Sequence, residues 1–147
     1  MLIRILKFVK NLLASLKELK STKSITSNLD LTYFKITEFD SPDEVGSGYR
    51  MNKDFIRRLD TARGIAGIPF KINSGYRTAA HNEKVGGRVG SSHKKGLAAD
   101  IRYYGSRERY LILNALMQVG INRIGIAKTF IHCDVDKNKD EDVIWLY

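Results

Sequence analysis

The stretch Ser74–Asp100, SGYRTAAHNEKVGGRVGSSHKKGLAAD, constrains this chain more than any other part of it. It sits mid-chain and carries five glycines, two of the three histidines, two arginines and a closing aspartate. Glycine and serine at that density supply little apolar surface to bury, so the stretch has to run as loops over a core built by its flanks. Those flanks are of two kinds. Before it, Phe55, Ile56, Leu59 and Ala62 keep a 3.6-residue period, which predicts a helix over roughly Asn52–Gly64, with Asn52 as N-cap and Gly64 or Gly67 as the stop. IPFKIN, residues 68–73, then alternates like a short strand. After it, Ser106 is expected to cap a helix from Arg107 to about Val119. INRIGIA, FIHCDV and DVIWLY follow as strand-like runs. LDLTYFKITEF, near residue 30, reads as a short strand or an extended approach, and SPDEVGSG as turns. Separated helices among short hairpin-like strands predict an α+β fold, a small antiparallel sheet with helices packed on it.

A chain of 147 residues fits one domain that can bury a core without covalent staples. The single cysteine, Cys133, excludes an internal disulfide and a cysteine-rich zinc ribbon, so any metal must be held by His, Asp or Glu. The formal net charge of +9 is uneven. Residues 1–24 hold six basic groups and one acid, leaving only +4 for the rest. The body has no basic stripe with interleaved aromatics, so nucleic acid is not an expected partner.

The first twenty residues, MLIRILKFVKNLLASLKELK, place apolar groups on one helical face and most lysines opposite. Lysines interrupt every apolar run, so neither a membrane span nor a clear signal peptide is present. Two readings stay open: a helix packed on its own domain or on a partner, and a basic amphipathic helix resting on an anionic membrane surface through Met1–Lys20. With Ser21–Asn28 as a polar linker, the expected organisation is a helical extension and linker over 1–28 and a single domain over 29–147.

Three residues supply the inventory of a catalytic zinc site. His93 and Asp100 lie seven apart in SHKKGLAAD, and His132 sits in FIHCDV. Two imidazoles and a carboxylate make three protein ligands and leave a fourth position open. Strand alternation sends His132, Asp134 and Phe130 to one face and Cys133 to the other. Taken alone, these letters also fit surface or hydrogen-bonded histidines and an aspartate that caps a turn.

The surrounding motifs are more specific. SGYRT with HN shortly after, VGG, SSHKKGLAADI, GINRIGI and FIHCDV together resemble the zinc D-Ala-D-Ala carboxypeptidase family, which shares its fold with the hedgehog signalling domain. The resemblance runs from about Phe39 to Tyr147. It implies a hedgehog/DD-peptidase-like fold, a Zn2+ cofactor held by His93, Asp100 and His132, and Arg77 facing the substrate to stabilise charge on the scissile carbonyl. Ser74 and Asn82 would fix loops or support the site, with Ser74 also a candidate for substrate binding. His81 would either support the site or be a solvent-exposed loop histidine. The implied activity is hydrolysis, through a zinc-bound water, of an amide in bacterial cell-wall peptide. Relatives remove a terminal D-Ala or cut an internal bond such as L-Ala–D-Glu, so peptidoglycan stem peptides are the expected partner. The expected setting is the bacterial cell envelope or a phage-encoded lysis product. The alternative is a non-catalytic, zinc-stabilised binding domain of the same fold.

The general base is the one role the motifs do not supply. Several relatives place an acid or a second histidine just before the last ligand, where this chain has Thr129 and Phe130. Asp134 is the nearest carboxylate on the right face. It is expected either as the base or as a group that orients His132. Glu83 and Asp136 stand in reserve.

Overall fold

The computed structural model describes residues 29–147. The helix expected over residues 1–20 and the linker after it lie outside the described residues. Leu31–Tyr147 forms one compact unit. Its elements run as a 3-10 turn at Ile36–Phe39, a second at Ser47–Arg50, helix α1 (Lys53–Ala66), strand β1 (Lys71–Ser74), short helix α2 (Ala79–Lys84) and a 3-10 turn at Ser92–Lys95. Strand β2 (Ala98–Arg102), helix α3 (Gly105–Gln118) and strands β3 (Arg123–Ile126), β4 (Phe130–Asp134) and β5 (Val143–Leu146) complete the unit. The fold is α+β. Among the described residues no helix is long and apolar enough to cross a membrane.

Helix α1 begins where the Asn52 side chain accepts a hydrogen bond from the Phe55 N–H at 2.9 Å. It ends at Gly67, whose φ of 64° reverses the chain after Ala66. Helix α3 departs from expectation. Ser106 lies inside it, and Tyr104 occupies the cap position without a capping side chain. Glu108 reaches back instead and accepts the Tyr104 N–H at 2.7 Å, meeting one of the orphan donors from within the first turn. The segment before α1 also differs from a strand. Asp60 of α1, 7% exposed, accepts the backbone N–H groups of Thr32, Tyr33 and Phe34. With those donors turned toward a side chain, that stretch forms no strand among the described residues.

The sheet order is β1-β2-β4-β3-β5. Three of its neighbour contacts are antiparallel, whereas β3 and β5 pair in parallel because the chain from β4 crosses to the far edge before entering β5. One sheet face carries Ala99, Ile101, Ile124, Ile131 and Cys133, all fully buried. Helix α3 packs on β4 and on α1, burying Ile112, Ala115 and Leu116 together with Phe55, Ile56 and Leu59 of α1. Each of the Ile, Leu and Phe side chains contributes about 1.5–3 kcal/mol relative to exposure. Burying that face fixes the register, and with it what the other face presents.

The opposite face is the one that matters for chemistry. Ser74 pairs with Asp100, Asp100 with His132, His132 with Gly125, and Gly125 with Trp145. These five residues form one row across all five strands. An irregularity in β1 creates its first member: Ile72 opposes Ile101 and Ser74 opposes Asp100, so Asn73 is the extra residue. Without that bulge, Asn73 would stand beside Asp100.

Candidate metal centre

His93 enters the row from outside the sheet. It sits on the Ser92–Lys95 turn and is 3% exposed. Its Nδ1–H donates to the carbonyl of Gly75 at 2.7 Å, which leaves Nε2 as the lone-pair nitrogen of the neutral ring. His132 faces a carboxylate on each side, with Nε2 at 2.9 Å from Asp134 Oδ2 and Nδ1 at 2.9 Å from Asp100 Oδ1. With its proton on Nε2, donated to Asp134, the Nδ1 lone pair is the one a metal would take. That nitrogen lies 3.3 Å from His93 Nε2. Asp100 Oδ1 is 2.9 Å from His132 Nδ1 and 3.3 Å from His93 Nε2. Three lone-pair atoms from three buried residues therefore converge on one point.

That triangle fits zinc. Zinc–ligand distances of about 2.0–2.1 Å in a tetrahedron require ligand atoms about 3.3 Å from one another. The observed sides are 2.9, 3.3 and 3.3 Å. A proton competes for the same place. Burial disfavours charge on His132, but its hydrogen bonds to Asp100 and Asp134 outweigh burial and raise its pKa above the ordinary imidazole value. Burial likewise pushes the Asp100 carboxyl up, and its close contacts with the His132 and His93 rings, which a shared proton turns into charge-assisted hydrogen bonds, more than reverse this and hold it well below the usual carboxylate range.

Arg77 lies against the cluster. Its Nε donates to Ser74 Oγ at 2.7 Å and its Nη2 to Asp100 Oδ2 at 2.8 Å, while its backbone N–H pairs with the His93 carbonyl at 3.2 Å. Ser74, brought beside Asp100 by the bulge at Asn73, thus sets the guanidinium's angle, and Asp100 bridges the metal-facing atoms and Arg77.

Asp134, weighed above as base or as orienting group, stands on the far side of the His132 ring from the lone-pair triangle. It is 1% exposed, and both its oxygens are engaged. Oδ2 accepts His132 Nε2–H and lies 3.2 Å from Arg123 Nε, and Oδ1 lies 3.1 Å from Arg123 Nε and accepts the Asp136 N–H at 3.1 Å. That geometry favours the orienting role. Asp136 is turned away as well: it accepts Ser92 Oγ at 3.0 Å and Lys95 Nζ at 2.9 Å, tying down the turn that carries His93. Glu83 is exposed on α2, outside the cavity lining. His81 lies on the same short helix and also outside the lining. Asn82, 3% exposed, donates to the Arg88 carbonyl at 3.1 Å and holds the glycine loop.

The cluster opens into a cavity of about 530 Å³, whose lining includes residues that sequence reasoning passed over: Arg123, Trp145 and Tyr147. The Trp145 ring lies 5.7 Å from that of His132, and Arg123 stacks on it at 5.0 Å. Gly125 makes this possible, since a Cβ there would come within 2.6 Å of both Trp145 and Tyr147. The only sequence signal for this wall was alternation in DVIWLY, and its register against β3 could not be read from that.

A family model described as Peptidase M15 matches residues 9–134, most of the chain and every residue of the lone-pair triangle. No curated protein sequence matches the chain.

Proposed function

The chain belongs to the peptidase M15 family, and on that premise we propose that it is a zinc metallopeptidase that hydrolyses an amide bond in bacterial cell-wall peptide. The bond is either the terminal D-Ala-D-Ala linkage or an internal one of the L-Ala–D-Glu type. The observation that carries this reading is the triangle of His93 Nε2, Asp100 Oδ1 and His132 Nδ1, with each histidine's other nitrogen already committed to an acceptor. Ligands whose tautomer is fixed from behind are pre-organised for a metal.

When bound, zinc supplies a Lewis acid that makes water nucleophilic near neutral pH and polarises the scissile carbonyl. The chain's own residues do the rest. Arg77, held by Ser74 and Asp100, offers its guanidinium to the carbonyl oxygen as negative charge develops there. Asp134 keeps the His132 ring in the metal-binding tautomer, and Arg123 holds Asp134 in place. Phe130, Trp145 and Tyr147 give the cavity an apolar wall that limits water around the reacting amide. The enzyme would act in the bacterial cell envelope, as a remodelling enzyme or as a phage-encoded lysis product, with residues 1–28 as an extension of the peptidase domain.

One observation favours a second reading. The two carboxylates that line the cavity, Asp100 and Asp134, are both engaged, so among the described residues no free carboxylate stands ready as a base. A zinc-stabilised binding domain of the same fold would need no such base. Digestion of purified peptidoglycan, with mass analysis of the fragments, separates the two. The peptidase releases fragments cut at one type of amide, and a chelator abolishes the release. A binding domain releases none at any zinc concentration.

A further inference from the structure

Two residues beyond Asp134 the chain carries a second buried carboxylate. Asp136 is 1% exposed and faces the turn that bears His93. Its Oδ2 accepts Ser92 Oγ–H at 3.0 Å and Lys95 Nζ at 2.9 Å, and its Oδ1 accepts the Asn138 N–H at 3.3 Å. Ser92, the residue before His93, is 2% exposed, and its hydroxyl oxygen accepts Lys139 Nζ at 2.7 Å. Lys139 itself stands 3.8 Å from Asp136. One carboxylate, two ammonium groups and a hydroxyl thus join the His93 turn to the segment that follows β4.

That segment, residues 136–142, is tied at its other end to the support of the second histidine. Arg123 Nε contacts Asp134, the acceptor of His132 Nε2–H, and Arg123 Nη1 donates to the Asp140 carbonyl at 2.6 Å. Asn122 Nδ2 adds a bond to Asp142 Oδ1 at 3.0 Å. The loop therefore spans two anchors, one beside His93 and one behind His132. The site needs such a span. The converging atoms of His93, Asp100 and His132 lie 2.9–3.3 Å apart and repel one another until a cation enters. The other contacts of His93, from its ring to the Gly75 carbonyl and from its own carbonyl to the Arg77 N–H, hold it to the chain after β1 rather than to β4.

We propose that Asp136 is a positioning residue for the metal, acting through Ser92 and Lys95 on the turn of His93, and that residues 136–142 clamp the two histidines at the separation a metal requires. This rests on the metal-site reading and not on which bond is cut. Charge-assisted hydrogen bonds to an enclosed carboxylate are strong and directional, so they transmit position rather than merely filling space. A ligand set is held to its geometry only as firmly as the groups behind it. Linkage makes the relation reciprocal: a loop that favours the metal is steadied by the metal in return.

Zinc affinity, by chelator competition, and hydrogen exchange over residues 92–95 and 136–142 are measured on the full chain and on three variants. In the native chain zinc should slow exchange in both segments by about tenfold. Asp136→Ala should bind zinc about tenfold more weakly and lose the slowing in residues 136–142. Asp136→Asn keeps an acceptor for Ser92 but not the charge that Lys95 and Lys139 meet, and should fall between. Lys139→Met leaves the Asp136–Lys95 pair intact and should weaken zinc about threefold, the worth of one modest hydrogen bond. Urea denaturation of the metal-free proteins separates positioning from support of the fold alone. A purely structural anchor would lower stability while the folded fraction binds zinc as tightly as the native chain, and that result overturns the proposal. Native exchange in residues 136–142 that zinc leaves unchanged overturns it too. Should Asp136→Ala not fold, Asp136→Asn and the native comparison decide. A native chain that binds no zinc refutes the metal site as well, which distinguishes that failure from variants that bind zinc as the native chain does.

Discussion

Replacing Asp134 with alanine separates its two conceivable roles. In the structure this 1%-exposed carboxylate holds the Nε2–H of His132 at 2.9 Å, the Nε of Arg123 at 3.1 Å and the N–H of Asp136 at 3.1 Å. If it orients His132, its loss frees the ring to turn and to change tautomer. Zinc affinity should then fall about 10–100-fold, the usual effect of deleting a group that supports a metal ligand. That corresponds to about 1.4–2.8 kcal/mol. Stability should fall too. Breaking a buried ion pair costs about 3–5 kcal/mol when the partner is stranded, and Arg123, with a side chain 19% exposed and stacked on Trp145, places the loss near the lower end. Asp134→Asn keeps the volume and one acceptor for His132, so its zinc affinity should drop about tenfold at most. Competition against a chromophoric chelator reads affinity, urea denaturation reads stability, and hydrolysis is measured at saturating zinc. The orienting role predicts that saturating zinc restores most activity to the alanine variant. Unchanged zinc affinity with turnover reduced by roughly 10²–10⁴-fold would refute it and make Asp134 the general base.

Ser74→Ala removes the acceptor of Arg77 Nε and should lower kcat/KM about tenfold while leaving zinc affinity unchanged, since Asp100 keeps its own contacts. Gly125→Ala drives a methyl to within 2.6 Å of Trp145 and Tyr147; denaturation should show a loss of about 1–3 kcal/mol, and tryptophan emission should shift as the ring is displaced. The pH dependence of the chelator-treated protein follows from two opposed shifts. His132, raised in the fold, stabilises it fully below its ordinary pKa of 6.5 and loses that contribution as pH rises through the raised value; Asp100, lowered in the fold, contributes above its ordinary 3.8 and is lost as pH falls toward its depressed value. Thermal denaturation of metal-free protein should therefore weaken on the alkaline side, and zinc should remove that weakening while binding less tightly in acid.

What could be read from sequence divides along physical lines. Helix α1 was legible because its determinants are local: apolar spacing, an Asn52 cap and a glycine stop. The common face of His132 and Asp134 was legible because a strand alternates whatever its neighbours are. Ser106 misled because a good capping residue is only one way to meet the first N–H groups, and here Glu108 meets one from inside the helix. Of the two readings of LDLTYFKITEF, the strand fails because Asp60, 26–28 residues away, claims the N–H groups of Thr32, Tyr33 and Phe34. Arg123, Trp145 and Tyr147 escaped notice for a related reason. They reach the site through β3–β4 and β3–β5 register, and the parallel β3–β5 pair joins strands that are not consecutive. Ser74 entered only as a motif letter, and its placement beside Asp100 depends on a one-residue bulge that no local pattern announces.

Everything proposed for the site requires that His93, Asp100 and His132 hold one zinc ion through the three atoms that converge in the structure. Zinc K-edge absorption of the loaded full chain tests this most directly. The prediction is one zinc per chain, with two nitrogens and one oxygen from the protein at about 2.0–2.2 Å and a fourth light ligand, and loss of that signature in His132→Ala. A six-coordinate all-oxygen shell, or an unchanged spectrum in His132→Ala, would contradict it.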